Sequence, residues 1–179
     1  MSNWGLEYRI GELVTAGCHA RHVTNPLTAA IEALAHLGLS RVALISPYVR
    51  DVNEAVIDHF AESGVETVEF FSFEEDRELE VAGIPPESIR GAAIRAVKGN
   101  PRVDCVFVSC TNLRAVEVVA EVERATGVPC LCSNLCLLWR TARLCGVELS
   151  KEFRSRLMDM ELPKTTQVSA QSVKENQMK

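Results

Sequence analysis

Val103-Asp104-Cys105-Val106-Phe107-Val108-Ser109 is the stretch on which the fold turns. Apart from Asp104 its interior is continuously apolar, and the turn residues Gly99-Asn100-Pro101 precede it. A short apolar run bounded by turn signals reads as a strand buried on both faces, the pattern of a parallel sheet covered by helices. Upstream, Arg41-Val-Ala-Leu-Ile-Ser46 repeats the pattern and ends at Pro47. Residues 51–63 then show helical spacing, with Val52, Ala55, Val56 and Phe60 on one face and Gly64 as the stop. Residues 65–71 read as a second strand and the acidic stretch 72–80 as a loop. Pro85-Pro86 opens a helix to about Lys98 through Ile89, Ala92, Ala93 and Val97, with proline in the first turn where its missing N–H does no harm.

Downstream of Ser109, Thr111 or Asn112 is expected to cap a helix that runs to about Thr126, with Gly127 after it. Residues 128–132 form a short fourth strand, and 134–144 a helix stopped by Gly146. Before the first strand, residues 28–37 make an amphipathic helix and residues 8–16 a weak one. The order β-α-β-α-β-α-β-α predicts an α/β fold: a four-stranded parallel sheet with helices on both faces. Residues 1–28 read as a lead-in, 29–150 as the α/β unit, and 151–179 as a polar tail expected to be disordered.

At 179 residues the chain fits one such unit. A net charge of −5 offers no basic footprint for nucleic acid or an anionic membrane. No apolar run approaches the length of a membrane span, and Met1-Ser2-Asn3-Trp4-Gly5 lacks a signal-peptide pattern. Seven cysteines, an odd number lying within apolar runs, read as free thiols in a reducing compartment, which makes the cytoplasm the expected location.

In an open parallel sheet, ligands bind where strand ends meet helix starts. Three such ends carry polar or reactive groups: Ser46-Pro47-Tyr48, Ser109-Cys110-Thr111-Asn112 and Ser133-Asn134. Cys110 has two readings of equal weight. A helix start beside it would favour a thiolate, with the Thr111 and Asn112 N–H groups aimed at a carboxylate or oxyanion. Otherwise it is a small buried hydrophobe. Tyr48 is either a carboxylate donor or, more plainly, a half-buried loop tyrosine. Asn134 is either a ligand donor or a cap, and Ser133 or Asn134 as a plain cap is the simpler expectation.

The remaining candidates read as structural. Cys130, Cys132 and Cys136 lack the second ligand pair of a zinc site, so no metal is expected. Cys105 and Cys145 are expected to pack, and His19 and His22 to lie on the surface. Neither type of glycine-rich phosphate loop is present.

Three segments, Ser46-Pro-Tyr-Val-Arg-Asp-Val-Asn53, Ser109-Cys-Thr-Asn-Leu-Arg114 and Cys132-Ser-Asn-Leu-Cys-Leu-Leu-Trp139, resemble the maleate cis-trans isomerase and arylmalonate decarboxylase branch of the aspartate/glutamate racemase superfamily. The resemblance runs from about Ala29 to Gly146. It implies two similar α/β lobes with a site between them, of which this sheet corresponds to the second, and chemistry next to a carboxylate without cofactor or metal. Carried over, Cys110 is the second-lobe thiol that gives or takes a proton, Tyr48 binds substrate, and Thr111 and Asn112 hold a carboxylate. Where the family has an Asp-Asn pair this chain has Asp76-Arg77, so Arg77 either binds a carboxylate bidentately or points away. The matched region begins where the family's first lobe is nearly complete. An N-terminally truncated form is therefore expected, and Cys18 is not given the first thiol's role.

The leading expectation is a maleate-type isomerase acting on a small dicarboxylate. Arylmalonate decarboxylation, amino-acid racemisation and a non-catalytic α/β module are the alternatives. A homo-oligomer is one way to complete the cleft.

Overall fold

The structure, a computed structural model, describes residues 4–18, 20–149 and 155–159, with backbone alone for 4–9 and 159. The elements are α1 (Trp4–Gly17), α2 (Pro26–Leu37), β1 (Arg41–Ser46), α3 (Arg50–Glu62), β2 (Glu66–Ser72), α4 (Glu78–Gly83), α5 (Pro86–Gly99), β3 (Cys105–Val108), a 3₁₀ turn (Ala115–Glu117), α6 (Val119–Thr126), β4 (Cys130–Cys132), α7 (Ser133–Cys145) and α8 (Arg156–Asp159). The strands lie in the order β2-β1-β3-β4, and every pairing is parallel. The chain leaves β1 toward β2 on one side and returns to β3 on the other. The C-terminal ends of β1 and β3 therefore bound the topological switch point, the crevice such sheets use for ligands.

The strand side chains alternate between two cores. Ala43, Ile45, Val106 and Val108 face α5 and α6, with Ile89, Ala93, Val119 and Val122. Val42, Leu44, Cys105 and Phe107 face α2, α3 and α7, with Leu34, Phe60 and Trp139. Because both faces are covered, both sets of positions are apolar, which is why the sequence shows no polar alternation. Phe107 meets Phe60 edge-on at 5.4 Å between centroids. Each such fully buried side chain contributes about 1.5–3 kcal/mol.

Three expectations shift. Of the stretch 72–80 only 73–77 is loop, since Ser72 ends β2 and α4 begins at Glu78. On α3 the buried face carries Asn53, Val56 and Phe60, while Val52 is 44% exposed, so the helix is rotated from the face read in the sequence. Thr111 and Asn112 cap nothing: the 3₁₀ turn starts at Ala115 and α6 at Val119. Within the stretch read as a tail, Ser155–Asp159 is described. There α8 sets Leu157 into the core, while 151–154 and 160–179 lie outside the described residues. Among the described residues no helix is long and apolar enough to cross a membrane.

Candidate active site at the switch point

β1 ends at Ser46 and the chain turns at Pro47 into Tyr48, which is half-buried. β3 ends one strand away. The Ser109 N–H continues the ladder onto the Ile45 carbonyl at 2.8 Å. Cys110 then takes φ = 111°, a conformation outside the ordinary range for a residue with a Cβ. The Cys110 N–H donates to Ser133 Oγ at 3.1 Å, at the first residue of α7. The Asn112 N–H returns to the Cys110 sulfur at 3.4 Å.

The Tyr48 side chain packs against the cluster that contains Cys110, with its hydroxyl near the Cys110 and Ser109 side chains. Burial, foremost, and the Cys110 contact push its ionisation well above the usual tyrosine range. Tyr48 therefore stays a neutral O–H donor at any physiological pH. The Cys110 sulfur thus lies between the Asn112 N–H and the Tyr48 side chain.

A cavity of about 600 Å³ opens beside them. Tyr48, Ser109, Thr111 and Ser133 form its polar side, and Leu27, Val52, Val56 and Phe107 are part of its apolar wall. Cys110, 8% exposed, sits between Ser109 and Thr111 beneath the rim rather than in the lining. Among the described residues no hydrogen bond takes the Thr111 N–H, which leaves it as the turn's available donor. Asp51 is the charged residue in the lining.

The structure gathers most of the predicted site residues but reassigns their contacts. Asn134 is not a cap: its Nδ2 donates to the Thr111 carbonyl at 3.0 Å and so braces the cysteine turn. Ser133 likewise reaches across to Cys110 instead of along its own helix. Asn112 uses its N–H on the sulfur and its side chain on Glu78, at 2.8 Å to both the carbonyl and the carboxylate. The helix start expected beside Cys110 is thus α7, supplied by the neighbouring strand, and not the segment that follows Cys110 in sequence.

Arg77 stands apart from the cavity. Its Nε and Nη2 hold the Glu75 carboxylate at 2.9 and 2.8 Å, and Nη1 lies 3.7 Å from Glu80. That pairing with Arg77 is the main cause holding the Glu75 carboxyl down to about 2.

Sequence reasoning missed Asn53. It is 2% exposed, donates from Nδ2 to the Tyr48 carbonyl at 2.6 Å, and is bonded through Oδ1 to Ser46 Oγ. The available signal was a polar residue at the spacing of Val56 and Phe60 on the inner face of α3.

Of the other candidates, Cys105 is fully buried, as expected, but Cys145 is exposed rather than packed. Burial pushes Cys132 up to about 11 and Cys105, Cys130 and Cys136 well above the ordinary thiol value. His22 is exposed, and His19 lies outside the described residues. No group of three or more His, Cys, Asp or Glu among the described residues is arranged to hold a metal ion.

A parallel sheet with a tyrosine turn after its first strand and a cysteine turn after its third defines a racemase-like α/β protein. Residues 18–158 match the family model described as arylmalonate decarboxylase, and the chain belongs to that family.

It is 31% identical over 123 residues to arylmalonate decarboxylase of Bordetella bronchiseptica, covering 69% of this chain and 51% of that protein. It is 32% identical over 102 residues to maleate isomerase of Pseudomonas putida, covering 56% and 40%. Among solved structures, a variant of Nocardia farcinica maleate cis-trans isomerase with a covalently bound succinylcysteine intermediate superposes with a TM-score of 0.76 at 22% identity. That likeness, over 88% of this chain and 64% of the other, is one of fold. The chain spans about half the length of the curated relatives it matches.

Proposed function

We propose that this chain carries the thiol of a cofactor-independent enzyme of the maleate cis-trans isomerase type, acting on a small dicarboxylate at the carbon next to a carboxyl group. The observation that carries the reading is Cys110 at φ = 111°, its sulfur accepting the Asn112 N–H and Tyr48 packed alongside, next to an open cavity.

A carboxylate seated at the rim takes the Thr111 N–H, and aligned donors there stabilise negative charge that develops on its oxygens. A thiolate from outside this α/β unit adds to one olefinic carbon while the Cys110 S–H gives its proton to the other, leaving a saturated thioether and the Cys110 thiolate. Rotation about the new single bond, return of that proton to Cys110 and loss of the adding thiolate release the trans acid. The maleate isomerases among the relatives support the assignment.

Decarboxylation of an aryl-substituted malonate is the second reading, and the apolar wall of Leu27, Val52, Val56 and Phe107 favours it. There the C–C bond to one carboxyl breaks, CO2 leaves, and the enediolate takes the Cys110 S–H proton on carbon. Solvent then reprotonates the thiolate.

Proton NMR of the chain with maleate and with phenylmalonate tests both readings. Turnover of one of them, reduced about 100-fold or more by Cys110→Ser, is the expected result. Turnover of neither, with Cys110 alkylated equally fast in the presence and absence of both acids, overturns the assignment.

A further inference from the structure

The Tyr48 carbonyl oxygen receives two side-chain hydrogen bonds, from Asn53 Nδ2 at 2.6 Å and from Ser72 Oγ. Both of its lone-pair directions are filled from elements on opposite sides of the turn, α3 and the end of β2. The two donors are themselves held. Ser46 Oγ is bonded to Asn53 Oδ1, and Ser72 Oγ accepts the Glu74 N–H at 2.9 Å, where Glu74 adopts φ = 52°. The Glu75 N–H adds a bond to the Pro47 carbonyl at 2.7 Å.

Asn53 occupies a position that α3 otherwise fills with Val56 and Phe60, and at 2% exposure an amide is tolerated there only when fully bonded. A hydrophobic residue would pack the same helix without that requirement. The polar brace therefore serves the turn it grips rather than the core it sits in.

We infer that Asn53 and Ser72 are positioning residues: by gripping the Tyr48 carbonyl from two sides they set the backbone that aims the Tyr48 hydroxyl at the Cys110 sulfur. This inference rests on the reading of Cys110 as the reactive thiol, and it identifies the residues that hold that thiol's partner in place. Neither residue touches the cavity. Each acts through Tyr48, so its effect on Cys110 vanishes when the hydroxyl is removed.

The test reads the thiol directly, so it stands whether or not turnover is found. Alkylation of Cys110 by iodoacetamide is followed by mass spectrometry of its peptide in the full-length chain, which separates it from the exposed Cys18 and Cys145. Tyr48→Phe removes the hydroxyl beside the attacking sulfur and is expected to slow alkylation about threefold or more. Asn53→Ala and Ser72→Ala are each expected to slow it by about the same factor, and to change the rate by less than about 1.5-fold when added to Tyr48→Phe. Equal slowing with and without Tyr48→Phe overturns the proposal, as does no slowing by either substitution. Should Asn53→Ala fail to fold, Ser72→Ala, at a half-buried site, carries the cycle alone.

Discussion

Cys110 is held in a backbone conformation that costs a residue with a Cβ on the order of 1–3 kcal/mol. Only Glu74 shares a positive φ among the described non-glycine residues, and it stands in the brace around Tyr48. Holding Cys110 there sets its sulfur against the Tyr48 hydroxyl and the Asn112 N–H. A direct prediction follows from the strain. In ordinary backbone, glycine is less stable than alanine, but at φ = 111° the order inverts. Cys110→Gly should therefore unfold in urea at higher concentration than Cys110→Ala, by about 1 kcal/mol, although both lack the thiol. A more stable alanine variant would show that the backbone at 110 is unstrained.

Among the elements, α2 carries a side-chain cap that the sequence reading did not identify. Asn25 Oδ1 accepts the Leu27 and Thr28 N–H groups at 3.0 and 2.9 Å, and Gly38 closes the helix at φ = 68°. Asn25→Ala should cost about 1 kcal/mol, and Asn25→Asp should recover most of it, both read by thermal melting. An alanine variant that melts with the wild type would contradict a stabilising cap. At α6 and α7 the same residue types behave differently. Thr111, Asn112, Ser133 and Asn134 all follow strands, yet none caps the helix next to it. Short polar side chains can bond their own helix or a neighbouring turn with similar energy. The choice depends on what the sheet brings alongside, which chain spacing does not record.

Besides Cys110, the molecule as a whole carries four buried thiols, Cys105, Cys130, Cys132 and Cys136, each pushed above its ordinary value chiefly by burial. Raised folded values mean that the unfolded chain loses these protons first, from about pH 8.5 upward. Their contribution is complete below that pH and declines as pH rises toward Cys132's value of about 11 and beyond. Each thiol lowers the unfolding free energy progressively in that window, by at most about 1.4 kcal/mol per pH unit. Urea unfolding in reductant at pH 7.5, 9 and 10 should therefore show a steep alkaline loss of stability. A flat profile would refute the burial of these thiols.

The sequence by itself determined the sheet, its parallel sense and the strand ends at which the candidate site stands. Doubly buried strands such as 41–46 and 103–109 leave continuous apolar runs, and the intervening helices leave their own period. Cys110 and Tyr48 were legible as residues at strand ends that share one edge. The residues alone left Cys110 with two equal readings and made Tyr48 more simply a loop tyrosine; the resemblance supplied their roles. What the tertiary structure decided was which groups meet. It placed α7 rather than the following helix beside Cys110, turned α3 so that Asn53 faces inward, and tied Arg77 to Glu75 away from the cavity. Contacts between segments distant in the chain depend on how helices rotate and strands register, and no local pattern of residues encodes that.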